Sequence, residues 1–471
     1  MKINLYISFT LFALLAVSCI DDKEYSPKLP QDPSVGEPKE YALPVDEHKT
    51  FRHPGCMAVQ EDFDRAVRHI RVGDEPWATA FETLKEGRFF NRMHGVTRVA
   101  SLYKGWLVRA TANKSNYMEE LDEYYWGAGN FAIQNQDCTT AYSKTVYWKL
   151  TGDKAYADDA VNILNAWASE CKGITGDNNK FLAYSGSAYE FASVAELLRD
   201  YEGWKVEDQA AFKEWIVRVH VPTLIKFLDT HESTSSVVGG SQYWSNWDLM
   251  DMLGLMSIGI YCDRPDLYNK VINYVTYGGG NGNFRRFVRY IHPAIDGEDD
   301  IDLGQTQEAG RDQGHNLLSI RLAAALCRIA WNQGDDLYGY DDNRFLKGAE
   351  FVAKYNYGPL IEEQQGLTTP LTYPFHAGIV NASGTYHEDN STDDRGQYCA
   401  GFVSVYEHYK KYKGLSTRYV KWAAKTPGQN KILADTTRFV NIEPETYDHD
   451  SGSGSGHGTL LFTEDESKLR K

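Results

Sequence analysis

Along most of the chain, apolar residues recur at i, i+3, i+4 and i+7, and strand-like alternation is rare. The pattern predicts helices separated by polar or Gly-rich loops. Residues 141–171 read as a helical hairpin, two amphipathic stretches broken by Thr151, Gly152 and Asp153. Further helices are predicted over 187–204, 206–231, 246–262, 265–278, 315–334, 343–358, 396–414 and 417–428. No fixed repeat length links them, so a solenoid is not indicated. Helix pairs of unequal length fit an all-α (α/α)-toroid, an incomplete α/α barrel in which inner helices converge on a cavity. We expect one such domain over residues 49–471, with short β additions. Near its end, the Gly/Ser part of "DSGSGSGHGTLLF" reads as a loop and "GTLLF" as a short closing strand or cap.

The amino-terminal stretch departs from this pattern. Lys2 precedes an apolar run from Leu5 to Val17, followed by Ser18 and Cys19. The run is too short to span a membrane and reads as a secretory signal. "LLAVSC" resembles a bacterial lipoprotein signal, which implies that residues 1–19 form the signal peptide with Cys19 as the lipidated terminus. Asp21, Asp22, Lys23 and Glu24 resemble a surface-export signal of such lipoproteins. Residues 20–48, rich in Pro and charge, read as a disordered tether. The expected location is the bacterial outer membrane, facing the cell surface or the periplasm, with membrane contact through the lipid alone.

Charge and composition narrow the partners. A formal charge of −16 argues against nucleic acid. The 31 Tyr, 11 Trp and 20 Phe exceed what a core usually needs and suit stacking on sugar rings. Besides Cys19, six scattered cysteines contain no C-x-x-C, so zinc ribbons and redox motifs lack support, and no disulfide pairing is legible. Cys262 and Cys327 sit in apolar helical patterns and are expected as buried thiols.

Four stretches set polar groups beside a predicted helix start. The first carries Gln134, Gln136 and Asp137. The second packs Tyr243, Trp244, Asn246, Trp247 and Asp248 together. The third holds Arg285, Arg286, Arg289, Tyr290 and His292. The fourth is "GQTQEAGRDQGHNLL", in which Gln305 leads and Glu308, Arg311 and His315 are spaced to share one helical face. Each also fits plain helix capping: Asn246 and Asp248 are good N-cap types, and Asp312 suits a first turn. "YHEDNSTDD" (386–394) has calcium-binding residue types but lacks the Gly turn and final Glu of an EF-hand loop. Serine-hydrolase, P-loop and zinc-protease motifs do not occur.

Taken in order, "KTVYWKLTGDKAYADDAVNILNAW", "SAYEFASVAELLRDY", "SNWDLMDMLGLMSIGIYCDRPDLY", "QEAGRDQGHNLLSIRLAAALCRIAWNQGDDLYGYDDNRFLKGAEFVAKYN" and "GHGTLLF" resemble the alginate-lyase-like α/α domain, over roughly residues 55–463. Within it they most resemble polysaccharide lyase family 38, whose members cleave uronic-acid polymers such as alginate or glucuronan. The resemblance implies an (α/α)-toroid and β-elimination yielding 4,5-unsaturated uronides. That chemistry removes the C5 proton and expels O4, so it needs donors that neutralise the carboxylate, a base and an acid. No metal or other cofactor is expected, because side chains can do the neutralising.

Related lyases place an Asn-His pair at the head of an inner helix. Here the position reads Asn246-Trp247, so Asn246 keeps the neutralising role and the histidine comes from elsewhere. His315 is the best candidate, supported by Arg311, with Tyr290 as the tyrosine partner; Tyr184, Tyr243 and Tyr386 also lie in suitable stretches. Substrate contacts are expected from Gln136, Tyr184, Tyr243, Trp244, Trp247, Arg289, Gln305 and Glu308, the last also able to orient Arg311. The expected partner is an anionic polysaccharide, met by a monomer. Two other functions fit the same sequence. One is an α/α-toroid hydrolase of the unsaturated glucuronyl type, using Asp248, Glu308 or Asp312. The other is a non-catalytic glycan-binding lipoprotein.

Overall fold

The computed structural model describes residues 43, 45–86, 131–171, 173–174, 179–233, 243–397, 399, 401–425 and 457–465. The signal peptide, Cys19 and all of the expected tether except residues 43 and 45–48 lie outside the described residues.

In chain order the helices are α1 (Gln60–Val72), α2 (Trp77–Glu86), α3 (Phe131–Thr151), α4 (Lys154–Glu170), α5 (Asn179–Leu197), α6 (Val206–Ser233), α7 (Ser245–Tyr261), α8 (Pro265–Tyr277) and the single turn α9 (Phe284–Phe287). Strands β1 (Val288–His292) and β2 (Leu303–Thr306) follow, then α10 (Gln313–Asn332) and α11 (Tyr340–Gln365). A two-residue hairpin, β3 (Gly378–Ile379) and β4 (Tyr386–His387), precedes α12 (Gly401–His408), α13 (Val420–Lys425) and α14 (Gly458–Phe462).

Local chemistry explains the boundaries. Gly152, at φ +78°, makes the turn between α3 and α4, and the Asp153 side chain caps α4 by accepting from the Ala155 N–H at 3.1 Å. Gly73 ends α1 in the left-handed conformation, and Pro265 occupies the first position of α8.

The helices form a toroid. α3 packs on α5, α5 on α7, α7 on α10, α10 on α12, α12 on α14, α14 on α1, and α1 returns to α3. α4, α6, α8, α11 and α13 lie outside this ring against their neighbours. α7 shows the inner-helix signature: apolar on nearly every side, it is buried at all positions but Trp247. It approaches α5 closely, since a Cβ at Gly254 would lie 2.9 Å from the Ser185 carbonyl oxygen. Ring closure is polar as well as apolar. Asp62 of α1 accepts from Arg328 of α10 at 2.6 and 2.7 Å, and Arg65 donates to the Leu461 and Thr463 carbonyls at 2.6 and 2.8 Å.

Three local expectations change. "GTLLF" is a helical turn rather than a strand. The arginine-rich stretch is not a helix start beyond α9: Val288–His292 is a strand paired antiparallel with β2, Tyr290 opposite Gln305. Glu308 and Arg311 do not lie on a helix with His315, because Asp312, extended at φ −168°, caps α10 and the preceding residues form turns. Cys327 is buried as expected and Cys262 partly so; the six described cysteines are all free thiols.

Candidate active site

The heads of α7 and α10 meet at one end of the ring, and Glu308 joins them. Its side chain has no solvent exposure. It accepts from the Ser245 hydroxyl at 2.9 Å, the Asn246 backbone N–H at 3.0 Å, the Asn246 amide at 2.9 Å to each oxygen, and the Ser319 hydroxyl at 2.8 Å. A buried carboxylate persists only when so supplied with donors. Gln307 adds to the joint, accepting from the Ser245 N–H at 2.7 Å.

Arg311 pairs with Glu308 at 3.0 Å and lies over the Trp244 ring, 4.6 Å from its centroid. With 23% of its side chain exposed, Arg311 keeps part of its surface open to solvent while Glu308 and Trp244 hold it. One of its N–H groups meets His315 Nε2 at 3.2 Å. Arginine can only donate, so Nε2 must accept and the ring proton sits on Nδ1. Nδ1 lies 2.7 and 2.9 Å from the Asp312 oxygens. Burial works to raise the Asp312 pKa, but the His315 ring and backbone N–H, with Arg311 nearby, hold it below the usual carboxylate value. The result is a carboxylate-backed imidazole, 37% exposed, whose accepting nitrogen is covered by the Arg311 guanidinium.

The structure brings together Asn246, Glu308, Arg311, His315 and Trp244 from the expected set. Asn246 is corrected in role: it is fully buried with its amide nitrogen committed to Glu308, so it positions that carboxylate and is not free to neutralise a substrate. Trp244 is likewise engaged by protein, carrying Arg311 and lying parallel to His387 at 5.8 Å, so it is a platform for side chains rather than for sugar.

Tyr290 belongs to a separate cluster. It is buried, with its ring against His376 at 4.2 Å, and burial raises its phenol pKa; no contact with Arg311 or His315 is found among the described residues. Gln305 is also buried there, binding the His376 backbone N–H at 2.6 Å and carbonyl at 3.1 Å, so it anchors a loop instead of contacting substrate. Arg289 is corrected in the same way: it is buried and donates to the Val380 carbonyl, and burial lowers its pKa to about 10. Tyr243 and Trp247 are half-buried and pack on each other at 4.9 Å, with Phe227 beside both. Tyr184 is buried within α5. Gln136 lies in α3, its side chain outside the described residues.

Two contributors lay outside the residues expected to carry the elimination. Asp312 read as a helix-start residue and as a candidate acid of the hydrolase alternative, although an Asp three positions before a His at a cap is itself a signal for the pair. His387 had no local signal; it arrives because residues 386–393 run along 309–313, with Ser391 N–H on the Ala309 carbonyl at 3.0 Å and Gln313 N–H on the Asp393 carbonyl at 2.8 Å. "YHEDNSTDD" thus forms a wall of the site.

The fold and its site place this chain among the α/α-toroid enzymes. More narrowly, residues 133–361, just under half of the chain, match the family model described as alginate lyase. The match is to that family as a whole and not to family 38 in particular. No curated protein matches the chain. Similar solved structures include an alginate lyase from Bacteroides ovatus, 13% identical over 88% of this chain and 100% of that one, with a TM-score of 0.49. Alginate lyase A1-III from Sphingomonas species A1 is 13% identical over 78% of this chain and 95% of its own, with a TM-score of 0.42. A variant of A1-III complexed with tetrasaccharide is 16% identical over 72% and 79%, at 0.41. At such low identity, residue roles do not carry across.

Proposed function

We infer that the protein cleaves a uronate polymer, alginate or glucuronan, by β-elimination at the Arg311–His315 site. The observation that carries this is the shared hydrogen bond between Arg311 and His315 Nε2. A uronate carboxylate entering the site competes for the guanidinium. As Arg311 turns to it, two things happen together: the carboxylate charge is neutralised and the Nε2 lone pair is uncovered. Nε2 then takes the C5 proton, and Arg311 stabilises the charge that moves onto the carboxylate. Asp312 stabilises the imidazolium through Nδ1. That imidazolium returns the proton to O4 as the C4–O4 bond breaks, leaving a C4=C5 double bond and a free hydroxyl.

The hydrolase alternative fits less well. A glycosidase acid needs a carboxyl held protonated near neutral pH. Glu308 is saturated with donors, Asp248 is buried against His231 and the Gly282 N–H, and the Asp312 pKa is pushed the opposite way.

Incubation with alginate, glucuronan and unsaturated oligouronides, following unsaturated-uronate absorbance, tests the reading. A rise is expected; a fall would indicate the hydrolase, and binding without change a glycan-binding protein. We further place the enzyme as a monomer tethered to the outer membrane through Cys19. Fatty-acid labelling that persists in a Cys19→Ser variant would refute that anchor.

A further inference from the structure

His387 lies against the Trp244 ring that also carries Arg311, and nothing in the elimination described above uses it. Its imidazole lies nearly parallel to the Trp244 indole, 8° between planes, and that indole also carries the guanidinium. The position depends on a missing side chain: a Cβ at Gly310 would come within 2.6–2.7 Å of His387 Cβ, Cγ and Nδ1. Neither ring nitrogen has a hydrogen-bond partner among the described residues, and Nδ1 is buried. Nε2 is therefore the nitrogen a ligand can reach.

Burial and the neighbouring Arg311 both lower the His387 pKa, so the ring is neutral at pH 7 and carries one N–H. A proton on Nδ1 would be a buried donor facing the Gly310 backbone with nothing to accept it. A bare lone pair there is less costly, because orphaned donors are the rarer and more expensive fault. The proton accordingly sits on Nε2, pointing outward. A neutral donor can work beside Arg311 without the repulsion that a second cation would bring.

We propose that His387 is a further catalytic residue, donating its Nε2–H to the C5 carboxylate of the bound uronate alongside Arg311. This fills the neutral-donor role that Asn246, held by Glu308, leaves open. The proposal rests on the lyase reading. The hydrogen bond strengthens as charge flows onto the carboxylate, so its loss falls mainly on kcat.

The test compares steady-state elimination by wild type, His387→Phe and His387→Gln on the polymer that wild type cleaves. Phe keeps a flat ring on Trp244 but removes the N–H; Gln restores an amide donor. We expect kcat to fall about 10²-fold in His387→Phe with KM moved by less than about threefold, and His387→Gln to regain roughly tenfold. A His387→Phe enzyme within twofold of wild type overturns the proposal, as does a His387→Gln enzyme no better than Phe, which would assign the histidine to packing. A wild type inactive on every uronate polymer sinks the lyase reading and this proposal together. An active wild type with undiminished His387→Phe sinks this proposal alone.

Discussion

Glu308 and Asp62 are both enclosed carboxylates that hold arginines, yet the two sites behave as different devices. Asp62 takes Arg328 at 2.6 Å, Arg65 at 2.9 Å and the Val59 N–H at 3.0 Å, and both arginines are themselves buried. Arg328 then packs over the Phe462 ring at 4.8 Å, which seals the pair from water. Glu308 draws most of its donors from neutral groups, and its single arginine keeps an open side. The first arrangement spends its arginines on joining helices. The second uses the carboxylate to fix an arginine whose charge remains available outside. Burial of an acid near an arginine does not separate structure from chemistry; the exposure of the arginine does.

Breaking each pair sharpens this contrast. The largest effect is expected at the sealed one: Asp62→Ala leaves Arg328 charged and unpaired in the core and lowers stability by about 3–5 kcal/mol. Denaturant unfolding would measure it, and kcat of the protein that remains folded should be unchanged. A fall in kcat comparable to the loss at Arg311 would erase the distinction. At the open pair, Arg311→Ala should reduce kcat/KM by about 10²–10³-fold. Stability should fall less than in Asp62→Ala, because Ser245, Asn246 and Ser319 still supply Glu308. Steady-state rates and unfolding curves on the same preparation decide this. The smallest effect is a roughly 10²-fold loss of kcat in Asp312→Asn. Asn caps a helix as well as Asp does, so the unfolding midpoint should stay put while the imidazole loses its anionic partner. A shifted midpoint with normal turnover would make Asp312 a cap and nothing more.

How much of this could be read beforehand differs between scaffold and site. The toroid was legible because an inner helix such as α7 and an amphipathic one such as α8 write their periods into the chain, and Gly152 and Pro265 mark their edges. The strands were not: Val288–His292 and Leu303–Thr306 are short and largely buried, so neither shows the alternation of a half-exposed strand. At the site, spacing correctly made neighbours of Glu308, Arg311 and His315, but a turn and a capping Asp312 bring them together, not a helical face. Arg289, Gln305 and Tyr290 look like ligand contacts in sequence because polarity is visible there and burial is not. His387 lies some seventy residues beyond its neighbours, and only the path of the 386–393 segment reveals it.

The clasp of Arg65 on the Leu461 and Thr463 carbonyls bears on the order in which the molecule assembles. α1 is the first helix of the ring in chain order, yet the groups that satisfy its buried arginine lie almost four hundred residues later. Contacts of such separation form late, since the intervening chain must already be folded or held close. The seam between α1 and α14 can therefore close only once the chain from residue 457 onward is available. A protein ended before residue 457 would be a helical arc with an unclosed seam, carrying its site residues but not the clasp that holds the ring shut.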